Sequence, residues 1–412
     1  MKIRVGVIFG GESVEHEVSI ISAIQAINKI NLEKYEVVPI YITKDREWYT
    51  GDMLKDIEVY QDLGLIKKYS KNVVLYCKNG AYVLQNKKFP RNVVKEIDIA
   101  FPIVHGTNVE DGVLQGYLQS IGIPFVGSDV YGSVVGHDKV YMKSIWKDAG
   151  LPMTKYVWFY DSEYKQDSSE ILKRVAKLKY PVIVKPATTG SSVGISVCEN
   201  EEKLIEALDD AIQYDNKILV EEVVKNLKEV NIAVMGNYQN QKFSEIEEVF
   251  SGNKFLTFAD KYIGGGKGKL KGGKMPVKVS GYSKGMASAS RKIPADISKK
   301  LREEIERVAV EAFKLLGSSG NARIDFLIDQ ESNKVYINEI NSIPGSLAYY
   351  LWEEKGVNFT NLLEDMINIG VKDYKKRVSK THSFETNILK GFAANGGVKG
   401  MKGVKGMKGR LK

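Results

Sequence analysis

Three oxygen-bearing side chains near the C-terminal third are spaced to form a binding cluster. Asp325 lies in an apolar run over 322–328, and Glu339 and Asn341 close the next run, which starts at Lys334. Positions i and i+2 of an extended chain point to the same side, so Glu339 and Asn341 present their oxygens together. Hard oxygens of this kind suit Mg²⁺, held partly by protein and partly by nucleotide phosphates. Arg323 shares a face with Asp325 by the same rule, where a cation can stabilise charge developing on a phosphoryl or carbonyl oxygen. The competing reading is plainer: two acidic strand ends face water, with a surface ion pair between them.

Phosphate chemistry needs cations and amides as well. Lys139 and Lys185 sit in separate segments, and residues 187–194 (Ala-Thr-Thr-Gly-Ser-Ser-Val-Gly) offer hydroxyls and small-residue amides able to cradle phosphate oxygens. No G-x-x-x-x-G-K-[ST] stretch exists, which argues against a P-loop enzyme. By itself a Gly/Ser hairpin is more often structural. The first loop, residues 10–19, also lacks the G-x-G-x-x-G spacing of a dinucleotide site. Its acids are instead placed to receive an ammonium group. Glu15 is the buriable one, whereas Glu12 and Glu17 read as ordinary helix-entry acids favoured by the dipole. His105 closes a strand facing the same crevice, and a lone histidine there is as readily structural as functional.

The elements that position these residues begin with a buried parallel strand over 2–9, a helix over 19–30, a second strand over 35–42 and a third over 97–104. This βαβ rhythm implies a small doubly wound parallel sheet, with ligands gathering beyond the carboxyl ends of its strands. A helix over 139–149 stops at Gly150 and Pro152. Strands over 182–185 and 195–198 make a hairpin with the Gly/Ser loop as its lip. Further strands are expected over 218–222 and 230–235, a helix over 297–316 and a last helix over 358–369. Residues 261–285 are dense in glycine and lysine and are expected to form a mobile lid.

Length and composition bound the rest. The 412 residues allow two or three domains with real cores, and 43% hydrophobic with 27% charged residues is an ordinary globular balance. No apolar run reaches the ~18 residues of a membrane helix, and the short Val/Ile start fits a first strand better than a secretory signal. Two cysteines in unrelated contexts, Cys77 and Cys198, imply no disulfide framework and suit a reducing cytoplasm. The net charge of +9 suggests nucleic acid until it is located: Lys390 to Lys412 holds seven Lys/Arg and no acid, which leaves +2 for the rest. That tail repeats Val-Lys-Gly-Met-Lys-Gly at 398–403 and 404–409 and is expected to be disordered.

Taken together, residues 10–19, 105–112, 185–194, 260–262, 323–325 and 338–345 occur in the order and approximate spacing of D-alanine–D-alanine ligases. The chain resembles that family over about residues 1–370. The resemblance implies an N-terminal α/β domain over 1–127, a doubly wound parallel sheet. A two-subdomain ATP-grasp fold of α+β type would follow, with a central subdomain over 128–220 and a C-terminal one over 221–379 before the tail at 380–412. It implies ATP as co-substrate, its phosphates on Lys139 and Lys185 with Ser192 and Lys261 nearby. The adenine would meet Glu221 or Glu222 with Val223 and Val224, and the ribose Glu229. Two Mg²⁺, with Mn²⁺ an alternative, would sit on Asp325, Glu339 and Asn341. Glu15, Ser191 and Tyr262 resemble the hydrogen-bonded trio that orients the first D-alanine, with Val18 and His105 beside it. Arg323 and the Gly345 amide would form the oxyanion site, and Ser346 and Leu347 would contact the second D-alanine.

The expected activity is ligation of two D-alanines through an acyl phosphate for peptidoglycan precursors, by a cytoplasmic enzyme that is a homodimer with no membrane span and no nucleic-acid partner. Two departures stand out. Val109 occupies a usual glycine position of the His-Gly-x-x-Gly-Glu-Asp-Gly motif, and Pro344-Gly345 runs directly into Ser346-Leu347 where many relatives carry several more residues. The lid is also longer and more basic than usual. D-serine, D-lactate or another amino acid is the alternative second substrate, although Tyr262 speaks against D-lactate. A nucleic-acid-binding protein is the remote alternative.

Overall fold

A computed structural model describes residues 2–190, 193–250 and 291–383. The chain forms one compact unit, Met1–Tyr374, and a short second unit, Lys375–Lys412, described as far as residue 383. The expected lid over 261–285 and the repeat tail lie outside the described residues.

The first of three sheets takes strands β1 (Ile3–Gly10), β2 (Tyr35–Ile42), β3 (Trp48–Thr50), β4 (Lys71–Lys78), β5 (Ala81–Asn86), β6 (Val93–Ile97) and β7 (Ile99–Pro102), in the order β6-β5-β4-β3-β2-β1-β7. Only β2-β1-β7 are parallel. They are the Val/Ile-rich strands expected of a sheet covered on both faces. Four antiparallel strands extend it beyond the parallel core. The single strand expected over 97–104 is two, because Asp98 turns to Arg4, whose amide it accepts at 2.7 Å and whose guanidinium it pairs with at 2.6 Å.

The second sheet, in the order β10-β9-β11-β8, comprises β8 (Tyr156–Tyr160), β9 (Val182–Pro186), β10 (Ser196–Cys198) and β11 (Lys217–Glu222). The expected hairpin is β9 with β10, in the register Ser196↔Val184 and Cys198↔Val182. Helices Ser168–Val175 and Glu201–Ala211 close its apolar face with Ile171, Val175, Leu204 and Leu208.

The third sheet contains β12 (Leu227–Gly236), β13 (Gln241–Val249), β14 (Arg291–Lys292), β15 (Gly320–Asp329) and β16 (Lys334–Asn341), in the order β14-β13-β12-β15-β16. Helix Lys299–Leu315 backs it with the stripe Leu301, Ile305, Val308 and Ala312, and its first turn is capped by Ser298. Met142 and Trp146 of helix Lys139–Asp148 join that core. The opposite face is polar. Glu247, Asn231, Asp325 and Glu339 stand on one rung across four strands, so their side chains share a face.

Candidate active site

A cavity of about 90 Å³ is lined by Glu15, His105, Lys139, Arg323, Glu339, Asn341 and Gly345, among others. Residues far apart in sequence meet there because strand ends and helix starts converge.

One side is cationic. Asp138 caps the helix that begins at Lys139, accepting the Val140 and Tyr141 amides at 2.8 and 3.1 Å, which fixes where the lysine stem leaves the backbone. The Lys139 ammonium donates to the Thr189 carbonyl at 2.8 Å and lies 4.0 Å from Glu339. That bond holds the Gly/Ser loop from one side. From the other side Asp215 accepts the Thr188 amide at 2.6 Å and its hydroxyl at 2.8 Å. Lys185 reaches Glu221 at 3.3 Å and the Asn338 side-chain oxygen at 3.2 Å. The other Glu221 oxygen lies 3.1 Å from Lys143. Burial would raise the Glu221 carboxyl, but the two lysines outweigh it and bring the pKa down to about 2.

The metal-type cluster forms between facing strands. Arg323 grips Asp325 with two bonds, Nε to Oδ1 at 2.6 Å and Nη2 to Oδ2 at 2.7 Å. Asn341 donates to Asp325 at 3.2 Å, and Glu339 pairs with Asp325 in register. The pair is buried, so the reading of a surface ion pair does not hold. Burial alone would lower the Arg323 pKa, but Asp325 keeps the guanidinium firmly charged. Two carboxylates and an amide oxygen fit a hard divalent cation, one that completes its shell with phosphate oxygens. Among the described residues no three of His, Cys, Asp and Glu converge on one point.

The other side is acidic. Glu15 precedes helix His16–Ile27 and is only 9% exposed, while Glu12, ahead of the helix, and Glu17, in its first turn, pair outside with Arg46 and Lys44. A methyl on Gly190 would stand 2.5 Å from the Glu15 carboxylate, so glycine is what lets the Gly/Ser loop approach that acid. His105 bonds Ser22 at 3.1 Å, and Ser22 in turn accepts the Ser346 amide at 2.9 Å. One hydroxyl therefore ties the first helix, the end of the parallel sheet and the turn after Gly345 together. Burial lowers the His105 pKa, which favours the neutral ring.

Glu110 was legible only as part of a motif, and its contacts explain why it stands there. It accepts the Gly106 amide at 2.9 Å, the Ile343 amide at 3.0 Å and the Ser342 hydroxyl at 2.9 Å. Burial, then the nearby Glu15, push its pKa up to about 7. Val109 fills space that Gly11 leaves open, since a methyl on Gly11 would stand 2.5 Å from it.

The short segment after Pro344 is a left-handed turn. Ser346, Leu347 and Ala348 have φ of 53°, 51° and 46° and are buried. Such backbone persists for L-residues only when its surroundings dictate it. Besides Ser22, Asn321 does so: its amide donates to the Leu347 carbonyl at 2.6 Å while its oxygen accepts from Trp352 at 3.0 Å.

The remaining expected residues are spread wider. Glu222 accepts the Lys179 amide at 3.1 Å, and the Val223 amide donates to the Pro181 carbonyl at 3.1 Å, with Val224 next to it. Glu229 lies on the polar face two residues before Asn231, and Val18 is buried in the first helix. Ser191, Ser192, Lys261 and Tyr262 fall outside the described residues. Sequence reasoning passed over Lys143, although its spacing of four from Lys139 on one helix was a usable signal. Ser22 and Asn321 carried no such signal.

Sheets of this kind, with lysines on one and carboxylates on the next, define an ATP-grasp ligase class, and comparison with known proteins agrees. Residues 4–128 match the D-ala D-ala ligase N-terminus family, and residues 145–280 and 277–368 match the corresponding C-terminus family. The chain belongs to the D-alanine–D-alanine ligase family. It is 39% identical to the D-alanine–D-alanine ligase of Thermosipho melanesiensis, over 94% of this chain and 98% of that one. Identity is also 39% to the ligase of Acetivibrio thermocellus, covering 92% and 98% of the two chains. Among solved structures, the D-alanine–D-alanine ligase of Coxiella burnetii superposes with TM-score 0.76 at 25% identity, covering 96% and 99%. VanG D-Ala:D-Ser ligase of Enterococcus faecalis gives 0.72 at 28%, covering 90% and 100%.

Proposed function

We propose that this enzyme ligates two D-alanines to D-alanyl-D-alanine at the expense of ATP, supplying peptidoglycan precursors in the cytoplasm as a homodimer. One observation carries the reading: a single cavity brings Glu15, Lys139, Arg323, Glu339 and Gly345 together. Lys139 and Lys185 bind the nucleotide phosphates, with Glu221 or Glu222, Val223 and Val224 along the base and Glu229 along the ribose. Asp325, Glu339 and Asn341 would hold two Mg²⁺, which would supply neutralising charge for the transferring phosphoryl group. Glu15 receives the first D-alanine's ammonium, with Ser191 and Tyr262 completing its setting. The γ-phosphoryl group passes to that substrate's carboxylate and ADP departs. The second D-alanine's amine then attacks the carbonyl carbon, Arg323 and the Gly345 amide stabilise the tetrahedral oxyanion, and inorganic phosphate leaves. Ser346 and Leu347 form the second-substrate wall. We read residues 1–127, 128–220 and 221–379 as the three functional domains.

Phosphate release with ATP, Mg²⁺ and a panel of D-amino acids tests this. Release that depends on D-alanine and yields the dipeptide is expected; release indifferent to D-alanine sinks the proposal. D-serine is the second reading, favoured by the likeness to VanG and by the short wall after Gly345. A mixed D-Ala–D-Ser product formed in preference at equal concentrations would select it.

A further inference from the structure

Lys143 has no part in the chemistry above, yet it is among the most deeply buried charged side chains, 1% exposed. An ammonium is rarely placed there without a partner. Its partner is Glu221, equally buried, which offers one oxygen to Lys143 at 3.1 Å and the other to Lys185 at 3.3 Å. Two amines share one carboxylate, so Glu221 can balance only one ammonium at a time; burial lowers the Lys143 pKa and Glu221 works against that fall. Thr154 on Glu221 at 3.3 Å and the Asn338 oxygen on Lys185 at 3.2 Å orient the groups without adding charge, and Glu339 is the other carboxylate whose field reaches Lys143. Without Lys143 the same carboxylate would face Lys185 alone. The two would then form a neutral buried pair that a polyphosphate must first break.

We propose that Lys143 is a positioning residue for the nucleotide: by engaging one oxygen of Glu221 it keeps Lys185 under-compensated and available to phosphate. The inference rests on the reading of Lys185 as a phosphate ligand. Glu221 then acts as a shared counter-ion, whatever it also offers the adenine.

The experiment compares ATP and adenosine binding by calorimetry, together with KM and kcat, in the full-length enzyme, K143M and K143M/E221Q. In K143M, ATP affinity should fall and KM for ATP rise about tenfold, the scale of losing one charge contact. Adenosine affinity and KM for D-alanine should stay put. The double variant replaces the pair by neutral residues of similar shape, frees Lys185 again, and should return ATP affinity to within about threefold of the parent. Unchanged ATP binding in K143M overturns the proposal. So does an equal loss for adenosine and ATP, or a double variant that stays as weak as K143M. Should K143M fail to fold, the double variant decides alone, and weak ATP binding beside normal adenosine binding overturns it. A parent enzyme that binds ATP no better than adenosine would instead remove the ATP-grasp reading on which this rests.

Discussion

Glu110, which lines the cavity, and Glu221, which pairs with Lys185, are both buried glutamates, yet one carboxyl is pushed up to about 7 and the other held down to about 2. The difference is the company each keeps. Glu110 is held by two amides and a hydroxyl with Glu15 nearby, so burial and like charge dominate. Glu221 meets two lysines, and their field overrides the same burial. The site thus has an acid pole on the loops that follow β1 and β7, with Glu15 and Glu110, and a cation pole of Lys139 at a helix start and Lys185 on β9. Glu339 lines the same cavity as Glu15, Glu110 and Lys139 and lies 4.0 Å from Lys139. An amino acid's ammonium and a nucleotide's phosphates would be sorted by this field before any single contact forms.

The strongest way to break that picture is at its centre. E339Q should reduce turnover by about 10²–10³-fold, the scale of losing a charge-stabilising group in a transition state. Because the Glu339 side chain is one-quarter exposed and glutamine keeps its shape, the melting temperature of the variant should barely move. Phosphate-release kinetics beside a melting curve check both halves, and unchanged turnover would take the carboxylates out of the mechanism.

The acid pole is tested by E15Q. Losing the charge should raise KM for the first D-alanine about 10–100-fold while ATP affinity holds, since a hydrogen bond to a charged group contributes about 1.5–3 kcal/mol. Weakened ATP binding of the same size would mean the poles are not separate.

A smaller effect concerns Glu110 and pH. Its folded pKa lies above the ordinary carboxylate value, so the folded state holds that proton more tightly than the unfolded chain does. The stabilisation is full below about 4.5 and is lost as pH rises towards about 7. Urea unfolding across that window should show this fall in the parent, on the order of 1–3 kcal/mol, and a flatter profile in E110Q. Identical slopes would place the titrating group elsewhere.

Much of this was legible in the chain. The parallel core announced itself through the Val/Ile runs at 3–10 and 35–42, and the Asp325/Glu339/Asn341 set through two-residue alternation, because both follow from local periodicity. The antiparallel strands over 48–97 did not, since short strands with mixed exposure lack a clean period. Nor did the roles of Glu110, Lys143 and Glu221. Their pairings span 36 to 233 residues, or depend on which side of a helix faces a neighbour, and only the folded packing sets that. The left-handed turn after Gly345 was not legible, because Ser346, Leu347 and Ala348 are not residues that favour positive φ.

That turn bears on how the protein can vary. Three successive L-residues in the left-handed region cost about 1–2 kcal/mol each, against a net stability for a folded chain of roughly 5–15 kcal/mol. The contacts that hold them, Ser22, Asn321 and Trp352, are therefore a narrow point in the molecule's mutational tolerance. In a saturation scan, acceptance at 346–348 should track backbone handedness more than side-chain size. Glycine and asparagine should survive there and valine, isoleucine and threonine should not. The wall proposed for the second substrate would then evolve by changing its length more readily than by exchanging its residues.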